Sequence, residues 1–438
     1  MILIFAYLIV LAPILLGSRR LPSGPFLLAN AYGLFLTLPS AIAYYLIFSD
    51  DFGIEYGYYV LQPSVYTWIF CFQAFVFIVL YAGYRSGFSY GARRPQPTII
   101  YVNNEAISYK MFTLMMVIFS AGILVYVHAA FGFAYILEPR RLYEFSRNGY
   151  GAHYFALGFS LRLAALLVLM SNFRGKAFLF IALLAFSVFT GAKVNTYVIL
   201  MFATMHFIVF ARGGRLNVKL LIKLALIALP IVYFLIRLTF QDSDVNIYEL
   251  LIAYVNEPWN NFTLLVQSFD QYFNDFFFGS LTWENNVISR IPRALFPEKP
   301  YLFGGFRLAD QYFPETVALG IGAPSFGSEG IVYADWGLFG LLMLVCLKWM
   351  LSWILGRFTC LITTNRPLSI QGNFLYFGVL LIMADMYFLT LPPSNNLVDN
   401  LVVVIGLSLL FGIGRKRLVS TFTPISNAHY SRNNVNPT

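Results

Sequence analysis

The sequence predicts an all-α, polytopic membrane bundle of about eleven to fourteen spans with two long outer loops. Three observations carry that prediction. Hydrophobic residues fill 59% of 438 positions and charged residues only 11%, too few to clothe a soluble surface. Apolar runs of roughly 20 residues, enough to cross the hydrocarbon layer as helix, recur along the chain. The basic residues are sorted: of 29 Lys and Arg, 18 fall in loops that alternation of the spans puts on one side, accompanied there by one acid, Glu105.

In chain order the apolar runs lie near 1–17, 26–48, 63–84, 111–133, 156–172, 177–192, 194–210, 220–240, 334–356, 373–390 and 399–414. The stretch 245–280 is apolar and aromatic enough to dip into a membrane, and the crowded turns near 54–66 or 318–334 have room for another helix. Lys and Arg mark cytoplasmic loops, which puts Arg19, Arg85, Arg94, Lys110, Arg174, Arg212, Lys223, Arg357, Arg415 and their basic neighbours inside. The first apolar run has its arginines after it rather than before it, which argues for a retained span with the amino terminus outside. Residues 1–420 read as one membrane domain, and the polar tail 421–438 as a disordered cytoplasmic extension.

The formal charge of +9 is mostly the anchoring charge of those inner loops, so nucleic acid is not an expected partner. Cys71, Cys346 and Cys360 lie in or beside spans and indicate no disulfide framework. His128, His153, His206 and His429 are too scattered for a metal cluster.

Two outer loops are long, 134–155 and 241–333, and length there usually means function. The first carries Glu138, Arg140, Arg141, Tyr143, Glu144, Arg147, Gly149, Gly151 and His153. Three arginines on the face where positive charge is disfavoured suit an anion site, since a guanidinium engages phosphate oxygens in bidentate fashion. Pairing with Glu138 and Glu144 at helical spacing is the alternative. The second loop carries Arg290, Arg293, Glu298, Lys299, Tyr301, Gly304 and Arg307 among prolines that forbid a continuous helix. Both loops share one spacing, Arg140 to Gly151 and Arg293 to Gly304, each with ten residues between.

Single residues add to this. Lys193 follows Thr190-Gly191-Ala192 in a tight connection between two spans, placed either to meet an outer anion or to snorkel as an anchor. Glu329 and Asp335 stand where a late span begins, in a glycine-rich stretch. Glu329 suits a general base, whereas Asp335 suits a helix cap. Arg162 and Asp385 are charges within spans, and a structural pair between them is expected, with Arg162 two turns below the first loop. Tyr248, Trp259, Tyr272, Trp283, Tyr301 and Tyr312 fit interfacial anchoring, and Asp242-Ser-Asp244 reads as a helix start.

These features resemble a known family, the Wzy-type O-antigen polymerases, pseudomonad B-band members above all, and more distantly the O-antigen ligases. The resemblance covers chain length, span number and the placement of both outer loops. It rests on the two Arg-x10-Gly loops, on the Thr-Gly-Ala-Lys193 turn, similar to a Thr-Gly-Ser-Arg turn, and on Ser-Glu329-Gly-Ile-Val-Tyr-Ala-Asp-Trp-Gly-Leu-Phe-Gly. Lys193 stands where arginine is more familiar.

What the resemblance implies is a GT-C-like glycosyltransferase of the bacterial inner membrane, working at the periplasmic face without metal or cofactor. It would move a growing glycan from one undecaprenyl diphosphate to a repeat unit carried on another. Arg140, Lys193 and Arg293 would then hold the donor diphosphate and Arg141 and Arg290 the acceptor's, with Gly151 and Gly304 as structural loop glycines. Glu329 would take the acceptor proton, with His153 as the alternative base. Membrane lipids and a chain-length regulator of the polysaccharide co-polymerase type are the implied partners. The rivals are an O-antigen ligase and a non-enzymatic lipid-linked oligosaccharide translocator.

Overall fold

A computed structural model describes residues 1–17, 22–31, 33–93, 107–133, 151–171, 174–191, 193–207, 247–288, 291, 295–318 and 324–365. Its elements in order are α1 (Ile2–Gly17), α2 (Gly24–Ala29), a π-helical turn (Gly33–Thr37), α3 (Leu38–Phe48), β1 (Ile54–Tyr56), β2 (Tyr59–Leu61), α4 (Pro63–Arg93) and α5 (Ile107–Phe131). There follow α6 (Gly151–Met170), α7 (Lys176–Phe189), α8 (Lys193–His206), α9 (Ile247–Tyr272), α10 (Ser280–Asn286), α11 (Gly305–Tyr312), α12 (Pro314–Ala318) and α13 (Gly327–Asn365).

The expected class holds: an all-α protein of membrane type. Among the described residues three helices are long and apolar enough to cross a membrane, Pro63–Arg93, Lys110–Phe131 and Gly327–Cys360, and Ile2–Ile14, Gly33–Phe48, Ala156–Leu169 and Lys176–Phe189 are shorter apolar helices. Their outward faces are oily. Trp68 and Phe75 of α4, Ile118 and Phe119 of α5, and Leu338 and Leu342 of α13 are all exposed, an arrangement that lipid accepts and water penalises.

The sequence-predicted runs near 220–240, 373–390 and 399–414 lie outside the described residues. The run 26–48 is divided by the π-helical turn. The crowded turn near 54–66 holds a β-hairpin, with Ile54 opposite Leu61 and Tyr56 opposite Tyr59, rather than a helix. Gly57 supplies the positive φ that such a tight turn needs.

The segment 318–334 does hold helix, and it changes the shape of the late span. As one rod, the 39 residues of α13 would measure roughly 58 Å, about twice the hydrocarbon thickness. The rod breaks at Gly337, whose φ of 61° and ψ of −143° belong to glycine's territory. The short arm (327–336) folds back on the long arm (338–365), so that Gly340 lies against the Val332 carbonyl and Glu329 reaches Lys348. Along a straight helix those two residues would be about 28 Å apart.

The long arm packs against α4 more closely than any other pair of helices. Glycines make the approach possible: Gly87 meets the Trp353 backbone and Gly356 meets the Tyr84 backbone, positions where any Cβ would collide. Ser352 Oγ donates to the Leu80 carbonyl at 2.7 Å beside that crossing. α9 lies against α3, α4 and α13 and belongs to the main core through Trp259, Phe262, Leu265 and Phe269. A smaller cluster built from Val117, Leu124, Leu157, Leu161 and Leu183 joins α5, α6 and α7.

Candidate active site at the junction of α9 and the α13 hairpin

The short arm of α13 meets α9 in a polar junction inside the bundle. Glu329, with a side chain 13% exposed, forms an ion pair with Lys348, which is 2% exposed. Its other oxygen accepts from Ser328 Oγ at 2.8 Å, and the buried Gln73 of α4 also hydrogen-bonds it. An ion pair so removed from water survives only when the remaining lone pairs are satisfied, and here Ser328 and Gln73 supply donors for them.

A second carboxylate stands next to it. Glu257 of α9 accepts the Ser325 backbone N–H at 3.1 Å, and Ser325 leads into the turn that bears Ser328 and Glu329. At Gly327, two residues past Ser325, the space beside the α-carbon is bounded by Pro258 of α9 and by Glu329 Oε2. Burial pushes the Glu257 carboxyl above its ordinary value, and the Ser325 N–H offsets part of that rise. Burial and then the neighbouring Glu257 hold the Tyr56 phenol well above its own. Tyr56 Oη donates to Asn261 Oδ1 at 2.6 Å and Asn261 Nδ2 donates to the Ser325 carbonyl at 2.8 Å, so β1, α9 and the pre-helical turn are tied together.

Asn256, Glu257, Asn260 and Asn261 fill one sector of α9, about 140° wide at 100° per residue. Asn256 Nδ2 donates to the Tyr66 oxygen at 2.8 Å and to Asn260 Oδ1 at 3.1 Å. Asn260 hydrogen-bonds the Tyr44 phenol, whereas Asn256 Oδ1 and Trp259 Nε1 are buried without a hydrogen-bond partner among the described residues. Unmade hydrogen bonds of that kind cost about 1–3 kcal/mol each, and are usually kept where something else supplies the partner.

Two of the basic residues, Arg162 and Lys193, belong to the region around the start of α8. Thr190, Gly191 and Ala192 connect α7 to α8, and Lys193 is the first residue of α8, as the tight connection between helices requires. Asn195, two residues on, accepts from Arg162 Nε at 3.0 Å and donates to Thr190 Oγ1 at 3.4 Å. Arg162, on α6 and only 9% exposed, is thereby fixed at the start of α8. Its expected partner Asp385 lies outside the described residues, as do Arg140, Arg141, Arg290 and Arg293. His153, in the first turn of α6, is exposed and lies against Tyr126, with ring centroids 5.4 Å apart and planes tilted by 32°.

The two spacing glycines both stand where a helix begins. Gly151 opens α6, and Gly304 immediately precedes α11. Gly304 has a φ of 55°, a Cβ there would strike Asn285, and its N–H donates to Glu284 Oε2 at 2.6 Å. Glu284 also pairs with Arg307 at 2.8 Å, while the Arg307 guanidinium lies 5.0 Å from the Phe277 ring centroid.

Asp335 is a cap, though for a different helix than the following one. Fully buried, it accepts the Leu281 and Thr282 N–H groups at 3.0 and 2.9 Å and the Thr282 hydroxyl at 2.5 Å, closing the start of α10.

Three features of the junction escape sequence reasoning. Lys348 is an intramembrane charge additional to Arg162 and Asp385, and a lone lysine between Leu347 and Trp349 was the signal for it. Glu257 and the asparagines of α9 carry a weaker signal, an Asn-Glu-Pro-Trp-Asn-Asn run within an otherwise apolar helix.

No family model and no solved structure matches the chain. It is similar to two proteins named O-antigen polymerase, from Salmonella typhimurium (strain LT2) and Salmonella typhi, each 30% identical over 288 residues that make up 64% of this chain and 67% of the relative. A helical membrane fold and kinship of that extent give one conclusion: the chain belongs to the O-antigen polymerase family.

Proposed function

We propose that this O-antigen polymerase, a glycosyltransferase-type enzyme, transfers a growing glycan from one undecaprenyl diphosphate to the sugar of an incoming undecaprenyl diphosphate-linked repeat unit, at the periplasmic face of the inner membrane and without metal. A lipid diphosphate leaving group needs fixed positive charge where its own charge develops. Arg140, Lys193 and Arg293 supply it for the donor in this reading, and Arg141 and Arg290 hold the acceptor's diphosphate. The observation that carries the reading is the start of α8, where Asn195, two residues after Lys193, fixes the buried Arg162 of α6. A buried guanidinium at a helix amino terminus, where the helix dipole is also positive, makes that corner attractive to an anion.

In the step itself the acceptor oxygen forms a bond to the donor's anomeric carbon. The bond from that carbon to the diphosphate breaks, its electron pair leaves with undecaprenyl diphosphate, and the acceptor proton passes to a base. Glu329 is the residue the sequence pattern nominates for that proton, with His153 as the alternative. Both Glu329 oxygens are engaged, one by Lys348 and the other by Ser328 Oγ.

The test is the surface polysaccharide of a strain lacking the gene and complemented with variants. Polymerase function predicts lipid A-core capped by single repeat units in the deletion strain, whereas complete loss of O-antigen identifies a ligase or translocator. Arg140→Lys and Arg293→Lys keep charge but give up the fork, and removal of a leaving-group contact is worth about a hundredfold in rate. Wild-type chain lengths in both variants would remove the diphosphate assignment.

A further inference from the structure

The two carboxylates of the junction differ in what their oxygens are doing. Glu329 Oε1 is taken by Lys348 and Oε2 by Ser328, with Gln73 adding a third donor. An approaching hydroxyl would have to displace one of them. Glu257 accepts one hydrogen bond among the described residues, from the Ser325 N–H to Oε1, and its side chain is only partly buried. It is also flanked on α9 by Asn256, whose Oδ1 has no partner among the described residues. A buried acceptor left open beside a carboxylate matches a hydroxyl of a sugar. Pro258 breaks the regular helical hydrogen-bonding of α9 just after Glu257.

Resting on the polymerase reading above, we infer that Glu257 is the catalytic base that receives the proton of the acceptor sugar's hydroxyl, while Glu329, locked by Lys348, is a positioning residue that holds the Ser325–Ser328 turn against it. The Glu257 carboxylate takes the hydroxyl proton and becomes neutral as the glycosidic bond forms, and the negative charge departs on undecaprenyl diphosphate. Burial favours that neutral state, which suits a base that must hold a proton at the end of the step. The groups facing Glu257 are Tyr56 from β1 and the N–H of Ser325, which leads into the turn that bears Glu329. The base is active when ionised, so the rate should climb as pH rises through the elevated value of this carboxyl.

The test uses full-length protein in lipid nanodiscs with an undecaprenyl diphosphate-linked repeat unit as substrate. Glu257→Gln keeps an oxygen for the Ser325 N–H and loses only the basic group. The expected result is a loss of polymerisation of about a hundredfold or more, with retained binding of the lipid-linked unit, an unchanged melting temperature and no acid limb in the residual pH profile. Glu257→Asp should recover part of the rate and the limb. A Glu257→Gln variant that polymerises within about threefold of wild type, or that retains the acid limb, overturns the assignment. So does a rate loss that merely tracks a lowered melting temperature in both variants. Failure of the polymerase reading has another signature: wild-type protein that makes no polymer from the lipid-linked unit, or that delivers glycan only to lipid A-core.

Discussion

Replacing Lys348 by Met should be among the most damaging single changes in the long arm of α13. The lysine is 2% exposed and its partner Glu329 13%, so solvent screens the pair little. The variant strands a carboxylate in the bundle with Ser328 and Gln73 but no cation. Breaking a buried pair costs about 3–5 kcal/mol, because the remaining charge keeps its desolvation penalty without compensation. The short arm is ten residues long by its numbering, 327–336, and a helix that short has little stability of its own. Its docking through Glu329 is therefore the contact that fails first. Glu329→Leu together with Lys348→Met removes both charges, and such a replacement is commonly neutral or stabilising by about 1–4 kcal/mol. A double-mutant cycle by SDS titration in mixed micelles, read through tryptophan fluorescence, should give a coupling energy above about 2 kcal/mol with the double variant more stable than Lys348→Met. Additive losses, or a Lys348→Met cost below about 1 kcal/mol, would refute the hairpin's dependence on this pair.

Two more predictions concern the tip of that hairpin. Asp335→Ala removes three hydrogen bonds from the first turn of α10 to a buried carboxylate, two of them from backbone N–H groups, and should cost about 3 kcal/mol, seen as faster limited proteolysis between Phe276 and Asn286. Proteolysis unchanged from wild type would deny the capping role. Gly337→Ala forces an L-residue into φ 61°, ψ −143° and sets its Cβ 2.8 Å from the Phe276 ring, so a loss of about 1–3 kcal/mol in the same titration is expected.

The parts of the fold legible in the sequence are those governed by local composition. A run of apolar residues such as 111–133 needs no knowledge of its neighbours to be a span, and α5 lies there. The tight turn before Lys193 and the helical segment within 318–334 were legible for the same reason. The hairpin of α13 was not, because its cause is one glycine: nothing in Asp335-Trp336-Gly337-Leu338 distinguishes a reversal from a mild kink until the arms have something to hold between them. The β-hairpin at 54–61 was missed because its strands are three residues long and follow no strict alternation.

The candidate site divides along the same line. Glu329 was visible as an acid beside a span, but its partner lies 19 residues on, a separation without meaning on a straight helix. Glu257 was hidden further still, since Ser325 is 68 positions away and the contact is made by a backbone N–H that no sequence displays. The reversal at Gly337 is what brings the Ser325–Glu329 turn back along the long arm to the level of Lys348, where α9 also passes. One acid then faces a lysine and the other faces a backbone amide. Two carboxylates in one junction with such unequal surroundings are suited to unequal tasks, the first to holding the turn and the second to exchanging a proton. The same contrast bears on a translocator. Among the described residues Lys348 and Glu329 are bound to each other, so that pair serves as a brace between the two arms of α13 rather than as a step on a polar path through the bundle.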